Sequence, residues 1–389
     1  MPINYQQAYE CIKENGAKSE ERKKRKEEAQ ELAHNLLASF NSELDALRSK
    51  VDSAKTADSN IRCAVPLTEN LASSHPVPDS PTQVTVIAAD GSQIVPNRHE
   101  PFQYYVINVG AIAMQIGSGN QSEVETNTEL HVLDEFDDTF FSDSQVALQR
   151  DVAERKKLLE MAERYSGAVI ALTEGQLELW GSVDNENAKE FEKSLQDYLH
   201  ALELMQHKEI VTCGYVDKPG ANWFVKLLEI AGTPADELKN VRKNRLLAGV
   251  TDLWMFSQLL GEHERSAVFA LKAKSAEKYK GGLSIHFFYL NVGDKKHPKI
   301  ARVDVPLWVA ENPSMLNALH SVLIAQTKIM GKAPFPYLLH RAHEIAVVTH
   351  REKEEIDRLL SRDILSSGGT LGEKSGKQTA KDSQGRTRK

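Results

Sequence analysis

Three carboxylates stand out in this sequence because each falls where an acid is locally awkward. Asp90 closes the apolar run VTVIAA and is followed by Gly91 and Ser92. Glu174 repeats that arrangement at the end of GAVIALT, with Gly175 behind it. Between them, Glu154 belongs to the helical segment SQVALQRDVAERKKLLEMAERY. At about 100° per residue it shares a face with Ala147, Leu158, Met161 and Tyr165. An unpaired charge on such an inward stripe is costly, and a bound cation would offset that cost. An intrahelical pair with Arg150 is the competing account of Glu154, as a plain Asp-Gly turn is of Asp90. Acids brought together from two strand ends and a helix make a set of hard oxygen donors. Mg²⁺ and Mn²⁺ take such donors, and a pair of these ions about 4 Å apart can clamp the attacking and leaving oxygens of a phosphodiester. A fourth candidate, His343 in LLHRAHEIAVVTH, is expected to be partly buried beside Leu339, Ala346 and Val347. It can be a satisfied core residue, a metal ligand or a carrier of protons near neutral pH.

Other chemistries lack their signatures. The sequence has no GxxxxGK[ST] loop, no GxGxxG behind a strand, no HExxH and no GxSxG. The three cysteines, Cys11, Cys63 and Cys213, are far apart, form no CxxC and suit a reducing cytoplasm. No apolar run is long enough to span a membrane, and the first twenty residues lack the apolar stretch of a secretory signal. A net charge of −7 excludes a globally basic nucleic-acid coat, so any attraction for phosphate must be local. Arg242, Lys243, Arg245, Lys272 and Lys274 are candidates for such a basic wall, although scattered surface charge is the better account of any one of them.

The elements that must position these residues follow from periodicity. Residues 1 to about 60 carry Leu32, Leu36, Phe40, Leu44 and Leu47 at three- and four-residue steps, as on an amphipathic helix. The Pro- and Ser-rich stretch 65–82 has the composition of a linker. QVTVIAAD is expected to be a strand ending at Asp90, and 102–116 one or two strands. A helix from about Ser144 to Tyr165, a buried strand to Glu174, a helix over 185–206, the strand EIVTCGYV and a helix from NWFVKLLEIAG follow. LSIHFFYLNVG and KIARVDVPLWV are expected to pair as strands, and helices over 313–330 and 336–362 close the fold. Strands in runs, mixed with strands alternating with helices, give an α/β class with a mixed sheet. From Ser366 onward the chain is polar, with six basic and two acidic residues, and is expected to be disordered.

Several stretches together resemble the NurA family of DNA-repair nucleases. They include AADGSQIVPNRHEPFQYYVINVGAI at 88–112, QRDVAERKKLLEMAERYSGAVIALTEGQLELW at 149–180 and FPYLLHRAHEIAVV at 335–348. The resemblance implies a ribonuclease H-like core, a homodimer with a central DNA channel, and Mn²⁺- or Mg²⁺-dependent exonuclease and endonuclease activity. It also implies a HerA-type hexameric ATPase as partner and a cytoplasmic setting. Asp90 falls on the family's DGS aspartate, Glu154 on its helical glutamate and His343 on its Ala-His pair. Two positions depart: Glu174 stands where the family usually has aspartate, and Phe335 where it usually has tyrosine. These departures leave open a catalytically weak or inactive DNA-binding adaptor of the ATPase, and a related hydrolase acting on RNA. The expected division is a helical region over 1–65, a nuclease domain over 66–365 and a basic tail over 366–389.

Overall fold

The computed structural model of the chain describes residues 3–17, 19–133, 142–181, 188–368 and 376. The chain forms two compact units, each built from two stretches: Met1–Pro78 with Val216–Ala310, and Asp79–Tyr215 with Glu311–Lys389. Helices α1 (Tyr5–Ala17), α2 (Ser19–Phe40) and α3 (Leu44–Ala57) open the first unit, followed by the short strands β1 (Cys63–Pro66) and β2 (Ser74–His75). The apolar stripe sits slightly off its expected line. Ala29, Ala33 and Leu37 are the buried residues of α2, with Leu32, Leu36 and Phe40 half-buried beside them.

The second unit begins with β3 (Val84–Ile94), β4 (Tyr104–Ile116) and β5 (Glu123–Val132). Helix α4 (Asp143–Ala162), β6 (Val169–Glu174), α5 (Ala188–His207) and β7 (Val211–Val216) follow. The chain then returns to the first unit for α6 (Trp223–Gly232), α7 (Asp252–Leu259) and strands β8 (Arg265–Ser266), β9 (Phe269–Lys272), β10 (Ile285–Asn291) and β11 (Ile300–Pro306). The turn α8 (Leu307–Ala310) ends that unit, and α9 (Pro313–Ile329), α10 (Tyr337–Ala346) and α11 (His350–Ser366) complete the second. The polar tail expected to be disordered lies almost wholly outside the described residues.

In the first unit β1, β9, β10 and β11 form an antiparallel series, and β10 and β11 pair over their full length as expected. Its core is aromatic: Phe256 stacks on Tyr289 with ring centroids 4.1 Å apart, and Phe224 and Phe269 pack edge-on around them. Asp252, fully buried, accepts the backbone N–H groups of Phe224 and Val225 at the start of α6. A carboxylate there satisfies donors that a helix start leaves unpaired and complements its dipole.

The sheet of the second unit runs β7-β6-β3-β4-β5. An antiparallel meander, β3-β4-β5, is extended on the far side of β3 by the parallel strands β6 and β7. Counted from β3 this is the strand order of a ribonuclease H-like core, within a mixed α/β fold that carries helices at its amino-terminal end. Two glycines show which helix covers which face. A side chain at Gly91 would meet Arg150 and Glu154 of α4 at 2.5 and 2.6 Å, whereas one at Gly110 would meet the backbone of α10. Gly110 pairs with Asp90 across the sheet, and Asp90 and Gly91 point to opposite faces. So α4 lies on one face and α10 on the other.

Two expectations change and one alternative is settled. β3 does not stop at Asp90 but continues to Ile94, because β4 pairs with it along its whole length. Of residues 102–116, Tyr104–Ile116 form a single strand, one of the two alternatives. The closing helix over 336–362 is two helices, since Thr349 caps α11 in a reciprocal box with Glu352 and ends the helical path before it. Gly110 is where α10 comes closest to the sheet, with the Ala346 nitrogen 2.5 Å from any added methyl. Gly110→Ala is therefore expected to lower stability by about 1–3 kcal/mol in urea denaturation. Gly220→Ala, which meets nothing within 4 Å, should leave it unchanged.

Candidate active site

β6 ends its pairing with β3 at Ala89 and Thr173, one residue short of Asp90. Beyond that point the sheet no longer separates its two faces. A cavity of about 290 Å³ opens there, and Asp90, Asp151, Glu154 and Glu174 all line it. Three elements therefore deliver the sequence-derived acids to one place: β3, α4 and the end of β6.

Asp90 is held from two sides. Its Oδ1 accepts the Gly91 N–H at 2.9 Å, and its Oδ2 lies 2.7 Å from Nδ1 of His343 on α10. The helix is pinned for that contact by the sheet itself. Ser92 Oγ and Asn108 Nδ2 both donate to the Ala346 carbonyl, at 2.5 and 2.7 Å, and Ser92 Oγ also accepts the Val348 N–H at 3.1 Å. These side chains satisfy groups that the end of a helix leaves open. The serine of the Asp90-Gly91-Ser92 motif thus anchors the histidine's helix, and its glycine makes room for α4. His343 is more exposed than its sequence pattern suggests, with 57% of its side chain accessible. The helix stops at Ala346, so Val347 lies off its face; the buried stripe is Leu338, Leu339, Ala342 and Ala346.

Glu154 is 7% exposed, and its Oε1 lies 3.3 Å from Nε of Arg150. The intrahelical pair that competed with a functional reading is thus present. It is shared: Arg150 donates to Asp151 Oδ1 at 2.7 Å. One guanidinium therefore serves two acids, with Asp90 also within electrostatic range. Burial pushes the Glu154 carboxyl up to about 8, the Asp151 charge adds to the rise, and Arg150 opposes it. Burial likewise raises Asp151 above the usual carboxylate range, against Arg150. Glu174, in contrast, is exposed at the end of β6.

Sequence periodicity missed the floor of the cavity. Arg155, 1% exposed, donates to Thr212 Oγ1 on β7 at 2.7 Å and to Thr173 Oγ1 on β6 at 2.9 Å. It also donates to the Tyr198 hydroxyl on α5 at 3.1 Å. All three partners are neutral, so the Arg155 charge is met at a distance by the acids of α4, Asp151 and, once ionised, Glu154. The signal was in the sequence: two acids, Asp151 and Glu154, stand between two arginines, Arg150 and Arg155, within six residues of one helix.

The donors suit a hard divalent cation. Carboxylate oxygens share one cavity, and burial together with the Asp151 charge keeps Glu154 up at about 8. Among the described residues no three His, Cys, Asp or Glu side chains are already arranged around one point as ligands. The fit is therefore one of donor chemistry and location. Of the sequence-derived basic wall, Arg242 pairs with Asp58 at 2.5 Å and Lys272 with Asp52 at 2.7 Å, within the first unit. Among the described residues no helix is long and apolar enough to cross a membrane.

Strand order and an acidic cavity at the end of β6 define an α/β protein with a ribonuclease H-like core and a carboxylate-lined candidate active site. The family model of the NurA domain matches residues 84–348, well over half of the 389-residue chain, and the chain belongs to that family. No curated protein matches it by sequence. The crystal structure of the NurA nuclease from Sulfolobus solfataricus is similar, at 12% identity and a TM-score of 0.48, covering 86% of this chain and 97% of that one. The catalytic domain of human Endonuclease V is similar at 10% identity and a TM-score of 0.34, covering 82% and 98%. An Endonuclease V from Ciona intestinalis, solved with a 23mer DNA containing an inosine, shows 12% identity and a TM-score of 0.32, covering 83% and 97%.

The raised carboxyl of Glu154 has a thermodynamic signature. Between the ordinary carboxylate value and about 8 the folded chain keeps a proton that the unfolded chain releases. Stability from this group is complete below that window and is lost as pH rises through it. Metal-free Glu154→Gln is therefore expected to gain stability over the parent as pH rises from about 5 to 9, by an amount on the order of a few kcal/mol. Urea titrations across that range check it, and a difference independent of pH would mean that Glu154 titrates normally.

Proposed function

We propose that the chain is a metal-dependent DNA nuclease that hydrolyses phosphodiester bonds in DNA end processing. The observation that carries this reading is the convergence of Asp90, Glu154 and Glu174 on one cavity, with Glu154 pushed up to about 8 by burial and neighbouring charge. Membership of the NurA family supports it. Asp90, Glu154 and Glu174 would hold one or two Mn²⁺ or Mg²⁺ ions, with His343 as a further ligand or a proton carrier. A bound divalent ion supplies a nucleophilic water near neutral pH and charge neutralisation at the phosphoryl oxygens.

The protein's own groups do the rest. Asp90 orients the His343 ring through Nδ1, which leaves Nε2 as the atom that would face a substrate or leaving-group oxygen. Arg150, partly exposed at the cavity, is a donor fork suited to a phosphate. Arg155 and its hydroxyl partners keep the floor rigid while the acids above it change charge. Family membership also supports a homodimer, a HerA-type hexameric ATPase as partner and a cytoplasmic setting.

A second reading, a DNA-binding adaptor with a decayed site, is favoured by two features. Arg150 already compensates Glu154 and Asp151, and the acid at the end of β6 is the longer glutamate. Digestion of end-labelled linear and single-stranded DNA in Mn²⁺, Mg²⁺ or EDTA separates the two. Cleavage is expected with either metal and not in EDTA. Because loss of an outer-shell partner alone costs about 10–100-fold, Asp90→Ala should cost about 100-fold or more and His343→Ala about 10–100-fold. Absence of cleavage with every metal, repeated with the ATPase and ATP present, would favour the adaptor.

A further inference from the structure

Two arginines of α4 line the cavity, and their surroundings differ in kind. Arg155 is 1% exposed and donates to three neutral hydroxyls, whose hold does not depend on the charge of the acids. Both described partners of Arg150 are carboxylates. Its Nη2 and Nε donate to Asp151 Oδ1 at 2.7 and 3.2 Å, and its Nε lies 3.3 Å from Glu154 Oε1. Asp90 acts on it electrostatically as well. The stem is seated against β3, since a methyl on Gly91 would meet Cγ and Cδ of Arg150 at 2.5 and 2.9 Å. The charged end reaches the cavity, and 30% of the side chain is accessible. An anchored stem with an accessible guanidinium can change partner by rotation about its outer bonds alone.

We infer that Arg150 is an exchange residue: it competes with a divalent cation for the carboxylates of Asp151 and Glu154, and the cation releases it to hold a phosphate of the DNA strand. This rests on the proposed reading of the site as that of a metal-dependent nuclease. A guanidinium and a divalent ion ask for the same carboxylate oxygens, so each weakens the hold of the other. A double positive charge placed among these acids also repels the guanidinium directly. The released arginine carries a planar fork of donors, which matches two oxygens of a phosphate. Arg155, tied to hydroxyls, has no such choice. The consequence is a coupling of two ligands through one side chain. Metal and strand favour each other, while the metal alone binds more weakly than it would without the arginine. A residue that merely supported the shape of the site would not act with opposite sign on the two.

The test measures two affinities of the full chain. One is for Mn²⁺ alone, by calorimetric titration. The other is for a fluorescent single-stranded DNA oligonucleotide in saturating Ca²⁺, with strand integrity checked on a gel. Arg150→Gln should bind Mn²⁺ at least about fivefold more tightly than the parent. It should bind the oligonucleotide about tenfold more weakly, with a salt dependence shallower by about one phosphate contact. The inference is overturned if Arg150→Gln binds Mn²⁺ no more tightly than the parent, or if it binds the oligonucleotide as well as the parent does. Should Arg150→Gln not fold, the parent decides. The Arg150 Nε–H, followed by NMR on arginine-labelled protein and assigned with Arg150→Lys, should exchange with water faster once Ca²⁺ is bound and slow again when the oligonucleotide is added. Exchange that Ca²⁺ leaves unchanged would overturn the inference equally. Both affinities shifting as expected, without cleavage in Mn²⁺ or Mg²⁺, would sink the nuclease reading and leave the exchange standing. Metal-dependent cleavage by the parent, with unshifted Mn²⁺ affinity in Arg150→Gln, would do the reverse.

Discussion

The second unit is organised around a buried positive charge. Arg155 lies almost wholly out of water, and its three hydrogen-bonding partners are neutral hydroxyls from β6, β7 and α5. An unbalanced guanidinium in such a place is costly, and hydroxyl groups solvate it without cancelling its charge. Asp151, on the same helix, faces that charge, and Glu154 adds to it only once it gives up its proton. Their burial is eased by Arg150 at the cavity's edge. Helix α4 thus carries two acids between two arginines, and Gly91 lets that helix approach β3 closely enough to bring Glu154 beside Asp90. Fold and site share these interactions: the contacts that join α4 and α5 to the sheet also hold the acids in place.

Such an arrangement divides the cavity into a fixed part and an adaptable part. Arg155, Glu154 and Asp90 sit in a hydrogen-bonded, buried or half-buried frame. Glu174 is exposed in the cavity's lining, and His343 is exposed outside that lining, against Asp90. Burial and the Asp151 charge hold Glu154 high, and a hard cation arriving among the acids would offset both, so metal binding and deprotonation are coupled.

Much of this was legible in the sequence, for physical reasons. The strands β3 and β6 are uninterrupted apolar runs because parallel strands are covered on both faces, and acids at or near their ends are conspicuous. Glu154 is found by helical periodicity alone. What escaped has causes as definite. β5, EVETNTELHV, alternates Val, Thr and Leu with polar residues, but its alternating positions include two threonines and nearly the whole strand is exposed at the edge of the sheet, so no apolar run marks it. Arg155 is invisible to hydropathy because arginine is ordinarily a surface residue, and its burial depends on hydroxyls 18, 43 and 57 positions away. His343 is more exposed than predicted because a helix assumed to run on stops at Ala346. The interleaving of the two units depends on contacts between distant stretches, which no local pattern encodes. Ser92 follows the Asp-Gly pair in sequence, but its anchoring role emerges only once α10 is in view.

The claim on which the account turns is that the acids of this cavity hold a divalent cation at the expense of a proton on Glu154. Calorimetric titration of Mn²⁺ near pH 7, repeated in buffers of different ionisation enthalpy, measures both quantities together. The account predicts one or two sites that weaken sharply in Asp90→Asn. About one proton should be released per site involving Glu154 in the parent, and none in Glu154→Gln. Binding that is unchanged in both variants, or no binding at all, would contradict it.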